Sequence, residues 1–383
     1  MITTINNKHK KLNVPNLRFP EFQGEWEKCK LGDKCDLLCG YAFDGKNIVE
    51  QGTYLLMRGI NITEGIIRHS SELDRYYTGS VNNLTKYKLT TGDLVIGMDG
   101  SKVGRNSAIV SLTENGSYLV QRVCRIKSCI GNDFILQLVN NHKFHKYVDM
   151  VKTSSAIPHI SLKDIQNFPI AVPSIQKEAD KISRLFHLID ERIATQSKII
   201  DKLQSLIKGI AHKVSKQGKP NTRLSECLQC ASSTLQESDV AEVGLYPVYG
   251  ANGIVGYLDT YNTTSEAIYI IKDGSGVGTV SYVNGKCSAT GTLNILQTND
   301  GFSLRYLYFM LKVFGFEPYK TGMAIPHIYF KDYGKAKIYC PNYELQNKCA
   351  NLLYEIEQKA TIEQKILDNL CSQKQYLLRQ MFI

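Results

Sequence analysis

Residues 156–160 read AIPHI, and the same five residues return at 324–328. Each copy is followed, after one residue, by an apolar residue and Lys-Asp, then by an apolar run that ends in proline, and then by a long helical pattern. The matched stretches are 162–164 with 330–332, and 170–173 with 338–341. A repeat of this length is far too long for a solenoid unit, so it indicates that a whole domain is duplicated.

The duplication continues upstream of the two AIPHI copies. Residues 99–104 (DGSKVG) and 273–278 (DGSGVG) each follow an apolar run that is typical of a strand, and each precedes an Asn-Gly turn signal. The runs are 93–98 and 267–272, the turns are 115–116 and 284–285, and a further match joins 31–35 to 224–227. The two globular segments, roughly 25–172 and 221–340, differ in between. Similar ends around a different middle favour one scaffold with two different readers, although duplication of a stable fold alone stays open.

Each junction proline leads into a helix with a heptad pattern. From residue 178 to about 211, apolar residues recur at sevens in two series that form one seam, in which the polar Gln196 is a candidate for fixing the register. The seam residues predicted to pair are Ile182, Phe186, Ile189, Ile193, Gln196, Ile200, Leu203 and Ile207, with Leu353, Ile356, Leu367, Leu370 and Leu377 on the C-terminal helix. The C-terminal seam is weaker, so its partner is expected within the same chain. Each helix would be about 50 Å long at 1.5 Å per residue.

Composition and cysteine usage restrict the class of protein. In 383 residues, 43% hydrophobic and 21% charged side chains allow two domains with a buried core and exclude a disordered or collagen-like chain. No long apolar run or secretory leader is present, so neither a membrane helix nor export is expected. The 11 cysteines suit free thiols in a reducing cytoplasm. Neither the pair Cys35 and Cys39 nor the pair Cys227 and Cys230 has a second pair nearby, so no metal site is predicted.

Positive charge favours an anionic partner. The formal net charge is +10, and all of it lies within residues 1–216. Base edges in a DNA groove are read by Arg, Lys, Asn, Gln and Ser side chains, and phosphates accept from any donor. The candidate DNA-contacting residues are Arg58, Arg68, Arg75, Lys102, Arg105 and Arg122 in the first copy, and Lys272, Ser275, Thr279 and Lys286 in the second.

The chain resembles the DNA-specificity subunit of bacterial type I restriction–modification systems. The resemblance rests on residues 14–33 (VPNLRFPEFQGEWEKCKLGD), on the two junctions from proline to helix, and on the duplicated layout. It implies an α+β protein: two tandem mixed α/β target-recognition domains separated by two long antiparallel coiled-coil-like helices, with pseudo-two-fold symmetry. The implied domains are an N-terminal conserved segment (1–24), recognition domain 1 (25–172), a central spacer helix (173–216), recognition domain 2 (217–340) and a C-terminal spacer helix (341–383). The glutamine expected near each junction is Gln176 in the first copy and Gln346 in the second, at unequal spacing.

The resemblance also implies a function. The chain is expected to be a non-catalytic subunit that recognises a bipartite, asymmetric sequence in double-stranded DNA and docks two methyltransferase subunits and, through them, motor–nuclease subunits. The chain itself is expected to bind no cofactor, and S-adenosylmethionine, ATP and Mg²⁺ are expected on the partners. The sequence contains neither a Walker A motif nor the Asn-Pro-Pro-aromatic motif of adenine methyltransferases.

Two other readings stay open at the level of sequence. One is a two-domain helical scaffold that binds protein instead of DNA. The other is a hydrolase that uses His159 or His327 with the equivalent carboxylates Asp164 and Asp332. For the two histidines, a turn or packing role where each domain meets its helix is the stronger prediction. Strands are expected at Tyr54–Met57 and 268–271, and a helical segment at 134–151.

Overall fold

In the computed structural model, which describes residues 13–322 and 325–383, the chain divides into two compact units. The first unit contains Met1–Ala194 and Asp368–Ile383, and the second contains Thr195–Leu367. Residues 1–12, which belong to the predicted N-terminal segment, and Ala324 of the second AIPHI copy lie outside the described residues. The domain boundaries drawn from the sequence stay predictions.

The first unit is built from short strands, four short α-helices and parts of two long ones. Its elements are β1 (Glu27–Lys30), α1 (Leu31–Lys34), β2 (Cys35–Cys39), β3 (Ile48–Val49), β4 (Tyr54–Met57), β5 (Tyr76–Tyr77), β6 (Leu94–Gly97), β7 (Ser107–Ile109), β8 (Tyr118–Leu119), β9 (Val123–Ser128), α2 (Asn132–Val139), α3 (His142–Val151), α4 (Leu162–Gln166), β10 (Pro169–Val172) and the start of α5 (Gln176–Ser215).

The second unit repeats this order with fewer elements. After the end of α5 come β11 (Thr222–Arg223), α6 (Leu224–Cys227), β12 (Leu228–Ser232), β13 (Tyr246–Gly250), β14 (Gly253–Leu258), β15 (Ala267–Ile271), β16 (Val280–Val283), β17 (Ser288–Ala289), β18 (Leu293–Thr298), α7 (Leu304–Lys312), α8 (Phe330–Tyr333), β19 (Lys337–Ile338) and α9 (Tyr343–Met381). The last part of α9 belongs to the first unit.

The two units share one sheet plan. An antiparallel four-stranded sheet has the order β2-β9-β6-β7 in the first unit and β12-β18-β15-β16 in the second. A second sheet, β3-β5-β4-β8 or β14-β13-β17, contains one parallel pair in each unit, β4 with β8 and β13 with β17. A two-stranded ribbon, β1 with β10 or β11 with β19, joins the beginning of each unit to its junction proline. The duplication predicted from the sequence is therefore a duplication of topology.

Strand periodicity explains how each core is layered. Side chains of a strand alternate between two faces, so a strand that is apolar throughout is buried on both. In β6, Leu94 and Ile96 pack with the helix side chain Phe134, whereas Val95 packs with the side chains around β4 and β8. In β15, Ile268 and Ile270 belong to the core around α7, and Tyr269 belongs to the opposite core. Each central strand therefore lies between a helical layer and the second sheet.

The long helices pair antiparallel within each unit. In the first unit the rings of Phe186 and Phe382 lie 5.8 Å apart, and Lys374 forms an ion pair with Asp190. In the second unit Gln196 donates through Nε2 to the main-chain and side-chain oxygens of Glu363, so the polar residue of one seam meets a polar residue of the other. Every residue predicted for the two seams is buried or half-buried. The apolar stripe is thus covered by a helix of the same chain.

Two helix predictions need correction. The first long helix, Gln176–Ser215, lies within the predicted spacer 173–216, but its 40 residues make it about 60 Å long instead of about 50 Å, because buried side chains such as Val214 continue the stripe beyond the heptad pattern at 178–211. The segment predicted as one helix at 134–151 is split into α2 and α3. Asn141 causes the break: its side-chain oxygen accepts from the Lys143 N–H (3.0 Å) and caps α3, while its amide donates to Leu378 O (2.8 Å).

The glutamine expected at each junction is also corrected. Gln176 is exposed, and counted from the prolines Pro173 and Pro341 the matched positions are Glu178 and Gln346. Glu178 is fully buried and accepts from the guanidinium of Arg18 (2.7 and 2.8 Å) and from Trp26 Nε1 (3.3 Å). Gln346 is buried too, but it accepts from the Ser303 N–H (2.9 Å). The unequal spacing arose from matching residue types instead of positions.

No helix in the described part of the chain is both long enough and apolar enough to span a bilayer.

Candidate nucleic-acid interface

Three chain segments meet just beyond the central strand of each unit. In the first unit, Met98 donates its backbone N–H to Arg122 O (2.9 Å) and accepts from the Ile160 N–H (3.0 Å). In the second unit, Lys272 donates to Thr292 O (2.9 Å) and accepts from the Ile328 N–H (2.9 Å). We call this arrangement the loop junction. It has the same backbone hydrogen bonds in both units although Met98 and Arg122 of the first correspond to Lys272 and Thr292 of the second.

The glycine-rich turn and the AIPHI segment form one site. The Gly100 N–H donates to Pro158 O (3.0 Å) and the Gly274 N–H to Pro326 O (2.9 Å). Each turn is also bridged to a histidine, Asp99 to His159 and Asp273 to His327. Gly100 and Gly274 have φ of 90° and 99°, in the left-handed region that suits glycine. Two motifs that the sequence shows separately are thus brought together by folding.

Sequence reasoning missed that the repeated motif is longer. The full stretches are KTSSAIPHI at 152–160 and KTGMAIPHI at 320–328. The Thr153 N–H donates to His159 O (3.0 Å), and the Thr321 N–H donates to His327 O (2.9 Å), so each stretch closes a loop. We call residues 153–159 and 321–327 the Thr–His loops; Met323 and Ala324 lie outside the described residues. The sequence signal that could have revealed the longer motif is the matched Lys-Thr pair, which two variable positions separate from AIPHI.

Three basic residues predicted to contact DNA lie at the first loop junction. Lys102, in the glycine-rich turn, has its ammonium 3.1 Å from a Glu64 oxygen, and Arg105 lies 2.7 Å from an Asp149 oxygen. Arg122 is exposed, and its φ of 68° is the one left-handed value at a non-glycine residue in the described chain. Such a conformation costs about 1–2 kcal/mol and concentrates at functional sites. The fold therefore presents a cationic edge here.

The other three arginines predicted to contact DNA in the first copy donate hydrogen bonds to backbone carbonyls of the segment before β5. Arg75 donates to the carbonyls of residues 71, 72 and 74, and Arg58 donates to Leu73 O (3.4 Å). Together with Glu50 these two side chains line an open concavity of about 460 Å³. Arg68 is exposed and donates to Ile60 O (3.5 Å). Their guanidinium groups therefore support the loop before β5, and their contact with DNA stays a prediction.

The predicted residues of the second copy separate into two places. Lys272, Ser275 and Thr279 lie on the second loop junction, where Ser275 and Thr279 are exposed. Lys286 instead packs over the rings of Tyr261 (5.0 Å) and Tyr246 (5.9 Å), a cation–π arrangement beside β13. The structure therefore joins three of these residues and gives the fourth a different local partner.

Each of the two histidine side chains makes a hydrogen bond within its own Thr–His loop. His159 Nδ1 lies 3.0 Å from Thr153 Oγ1, and His327 Nδ1 lies 3.2 Å from Ile325 O. Asp164, the carboxylate that a hydrolase would need, accepts from the N–H and hydroxyl of Ser161, the N-cap residue of α4. A turn role fits both histidines, but their place is the loop junction and not the start of the long helix as predicted.

Cys227 and Cys230, one of the two cysteine pairs considered in the sequence, are free thiols. A hydrogen bond with Cys340 and burial together raise the pKa of Cys227, and burial raises the pKa of Cys230 to about 11. Both groups are therefore protonated at neutral pH. Within residues 13–322 and 325–383, no three His, Cys, Asp or Glu side chains are grouped so that they could hold a metal ion.

Comparison with known proteins finds a family and several proteins that are similar to this chain. The family model described as type I restriction modification DNA specificity domain matches residues 23–205 and again 223–371. The specificity subunit of the Escherichia coli type I restriction enzyme EcoAI is 29% identical over 181 residues, which cover 45% of this chain and 29% of that protein. A putative type I specificity subunit of Mycoplasma genitalium is 22% identical over 392 residues and is matched along 94% of its length, with 93% of this chain covered.

Solved structures show the same fold. The crystal structure of the type I S subunit from M. genitalium matches with a TM-score of 0.67 at 19% identity, covering 97% of this chain and 99% of that one. A chain from a structural study of complex assembly and conformational transition in the type I R-M system matches with a TM-score of 0.50 at 15% identity, covering 92% and 96%. With two family segments, a duplicated topology and a duplicated loop junction, this chain belongs to the family of type I restriction–modification DNA-specificity proteins.

Proposed function

We propose that this chain recognises an interrupted, asymmetric sequence in double-stranded DNA, one half at each loop junction. In this proposal the chain has no catalytic centre of its own. It docks two methyltransferase subunits and, through them, motor–nuclease subunits, so that adenines in the recognised sequence are methylated or unmodified DNA is cleaved. S-adenosylmethionine, ATP and Mg²⁺ are held by those partners.

The duplicated loop junction carries the proposal. The backbone hydrogen bonds around Met98 are repeated around Lys272, so the two units present their turns in the same way. Two basic side chains are not repeated: Lys102, in the turn, and Arg105, just after it, correspond to Gly276 and Thr279 of the second unit. A symmetric dimer would repeat the same readers and need a palindrome. Two different readers on one scaffold suit two different half-sites.

The charges at the first junction suit phosphate contacts. The Lys102–Glu64 pair is 63% and 59% exposed, and an ion pair of this kind contributes about 0–1 kcal/mol. A DNA phosphate can therefore replace the Glu64 carboxylate at little cost. Arg105 is likewise paired at the surface with Asp149. These residues position the backbone of DNA, while Arg122 and the exposed turn hydroxyls are the candidates for base edges.

The long helices supply the spacer of the proposed reader. Helix α5 has 40 residues and α9 has 39, and their seams are covered within each unit. The hydrogen bonds from Gln196 to Glu363 favour one register, because a slipped pair leaves these polar groups among apolar ones. A fixed register gives a fixed separation between half-sites.

Mapping of methylated adenines tests the proposal. The chain is expressed with its methyltransferase subunits in a strain that lacks them, and the genome is compared with that of a strain that carries the methyltransferase alone. We expect methylation at one interrupted, asymmetric sequence that depends on this chain. Unchanged methylation would contradict the proposal.

Salt dependence separates DNA recognition from a protein-binding scaffold. The purified complex should bind a duplex that carries the mapped sequence with an affinity that falls steeply with salt, since phosphate contacts release counterions. A complex that assembles with protein but has no salt-dependent affinity for the duplex would favour the scaffold.

A further inference from the structure

Each Thr–His loop exposes an isoleucine beside the loop junction. Ile157 is 67% exposed and Ile325 is 66% exposed, whereas the next isoleucines along the chain, Ile160 and Ile328, are 2% and 1% exposed. Single exposed apolar side chains are ordinary on protein surfaces. Here the same side chain is exposed to the same degree at the same place in both units, although the nearby basic residues Lys102 and Arg105 have no basic counterpart in the second unit, so a shared role is indicated.

The backbone holds these isoleucines in place. The proline that follows each one restricts it to extended conformations. The proline carbonyl is fixed to the glycine-rich turn, through Gly100 or Gly274, and the ends of the loop are closed between threonine and histidine. In the second loop the closure is tight: a Cβ at Gly322, whose φ is 87°, would lie 2.3 Å from Ile325 O. The exposure of each isoleucine is therefore built into the loop.

Basic residues flank both loops. Lys152 and Lys320 immediately precede the loops, and each forms an ion pair with a carboxylate three residues earlier. Lys102 lies in the turn that holds the first loop, and Lys331, over the ring of Tyr329 at 5.1 Å, follows the second. An apolar tip among cations matches DNA, whose base stack is apolar and whose backbone is anionic, better than it matches an apolar protein face.

We propose that Ile157 and Ile325 are apolar wedges that enter the base stack, one in each half of the recognised sequence. The inference rests on the proposed function and adds a mechanical role to it. Isoleucine and proline side chains that insert between base steps partly unstack them. Enzymes that modify a base must take it out of the stack, so a wedge lowers the cost of presenting an adenine to a docked methyltransferase.

Base-analogue fluorescence tests the wedge. The full chain, in complex with its methyltransferase subunits, is titrated into duplexes that carry the mapped sequence with 2-aminopurine at one position at a time, since the fluorescence of this base rises when it unstacks. We expect a rise at one step in each half. Ile157→Ala should abolish the rise in one half only and Ile325→Ala in the other, each with roughly tenfold weaker binding, about 1.4 kcal/mol.

Controls separate the wedge from the proposed function. Leu112→Ala, at an 83% exposed apolar position of the first unit, should change neither fluorescence nor affinity. If the wild-type complex binds the duplex but the isoleucine variants match it in both readouts, the wedge is wrong and the proposed function stands. If the variants instead lose the methyltransferase in a pull-down without DNA, the isoleucines dock protein and the wedge is overturned. If the wild-type complex does not bind the duplex, the proposed function fails first.

Discussion

The two loop junctions share their backbone hydrogen bonds and their exposed isoleucines, but they differ in the charged side chains beside them. Met98 and Lys272 make equivalent pairs of backbone hydrogen bonds, and Gly100 and Gly274 each donate to the carbonyl of the matched proline in their own unit. In contrast, Lys102, Arg105 and Arg122 of the first junction correspond to Gly276, Thr279 and Thr292 of the second. Main-chain hydrogen bonds tolerate substitution of the side chains beside them, so one scaffold can carry two specificities.

The same contrast recurs at the start of each long helix. The buried position is a carboxylate in the first unit, Glu178, with Arg18 as its partner, and an amide in the second, Gln346, with backbone partners. A buried charge depends on its counter-ion far more than a buried amide depends on one hydrogen bond. The two units should therefore respond differently to equivalent changes.

The largest effect is expected at this position. Glu178→Ala leaves the Arg18 guanidinium, 15% exposed, without its carboxylate and should lower the free energy of unfolding by about 3 kcal/mol. Gln346→Ala leaves the Ser303 N–H without its acceptor and should cost about 2 kcal/mol. Urea unfolding of the full chain measures both. Glu178→Gln, which introduces the amide found at this position in the second unit, is the matched control. Equal losses of unfolding free energy in the two alanine variants would contradict the contrast.

A moderate effect is expected on DNA binding. Replacing Lys102 and Arg105 together by alanine should weaken binding roughly tenfold and lower the slope of log affinity against log salt by about 2, one for each phosphate contact. The reverse change in the second unit, Thr279→Arg, should raise that slope by about 1. Titrations of the complex with the mapped duplex at several salt concentrations measure the slope.

The control for these titrations is Lys213→Ala, which removes an exposed charge of α5 that belongs to neither loop junction. It should leave the slope unchanged. An unchanged target and unchanged affinity for the Lys102 and Arg105 double variant would remove this turn from the interface.

The smallest effect concerns a pH-dependent contact that belongs to the first unit. His69 Nδ1 lies 3.0 Å from Asp74 and Nε2 lies 2.9 Å from Glu114. Burial lowers the pKa of His69, but hydrogen bonds to the two carboxylates outweigh it and raise the pKa above its ordinary value of 6.5. Burial raises the pKa of Glu114, but hydrogen bonds from Ser111 and His69 leave it below 4.5.

The sign of the pH dependence follows from these shifts. The stabilisation by His69 is fully present below pH 6.5 and is lost as pH rises through the raised pKa; that by Glu114 is present above pH 4.5 and is lost as pH falls through its lowered pKa. Thermal unfolding should show that the free energy of unfolding decreases above neutral pH by about 1 kcal/mol, since His69 itself is partly exposed to solvent. His69→Gln should abolish this decrease. A free energy of unfolding that rises from pH 6 to pH 8 in the wild type but not in His69→Gln would contradict the assignment.

Much of the fold was predictable because it depends on local periodicity. The strand at Tyr54–Met57, the glycine-rich turns and the buried stripes of α5 and α9 all follow from residue spacing. The loop junction was not predictable, because hydrogen bonds such as that from Gly100 to Pro158 join segments far apart in sequence. The left-handed Arg122 likewise depends on position in the fold and not on residue type. The match of Glu178 with Gln346, in contrast, could have been found by counting residues from Pro173 and Pro341.

The most direct test of the central claim lengthens both helices by one heptad. Seven residues inserted beside Gln196 in α5, and seven beside Glu363 in α9, keep the seam in register and add about 10 Å. Methylated adenines are then mapped as for the wild type. We predict the same two half-sequences with a gap about three base pairs wider, at 3.4 Å per base pair. An unchanged gap, or a target without two separate halves, would contradict the account of two readers held apart by a helical spacer.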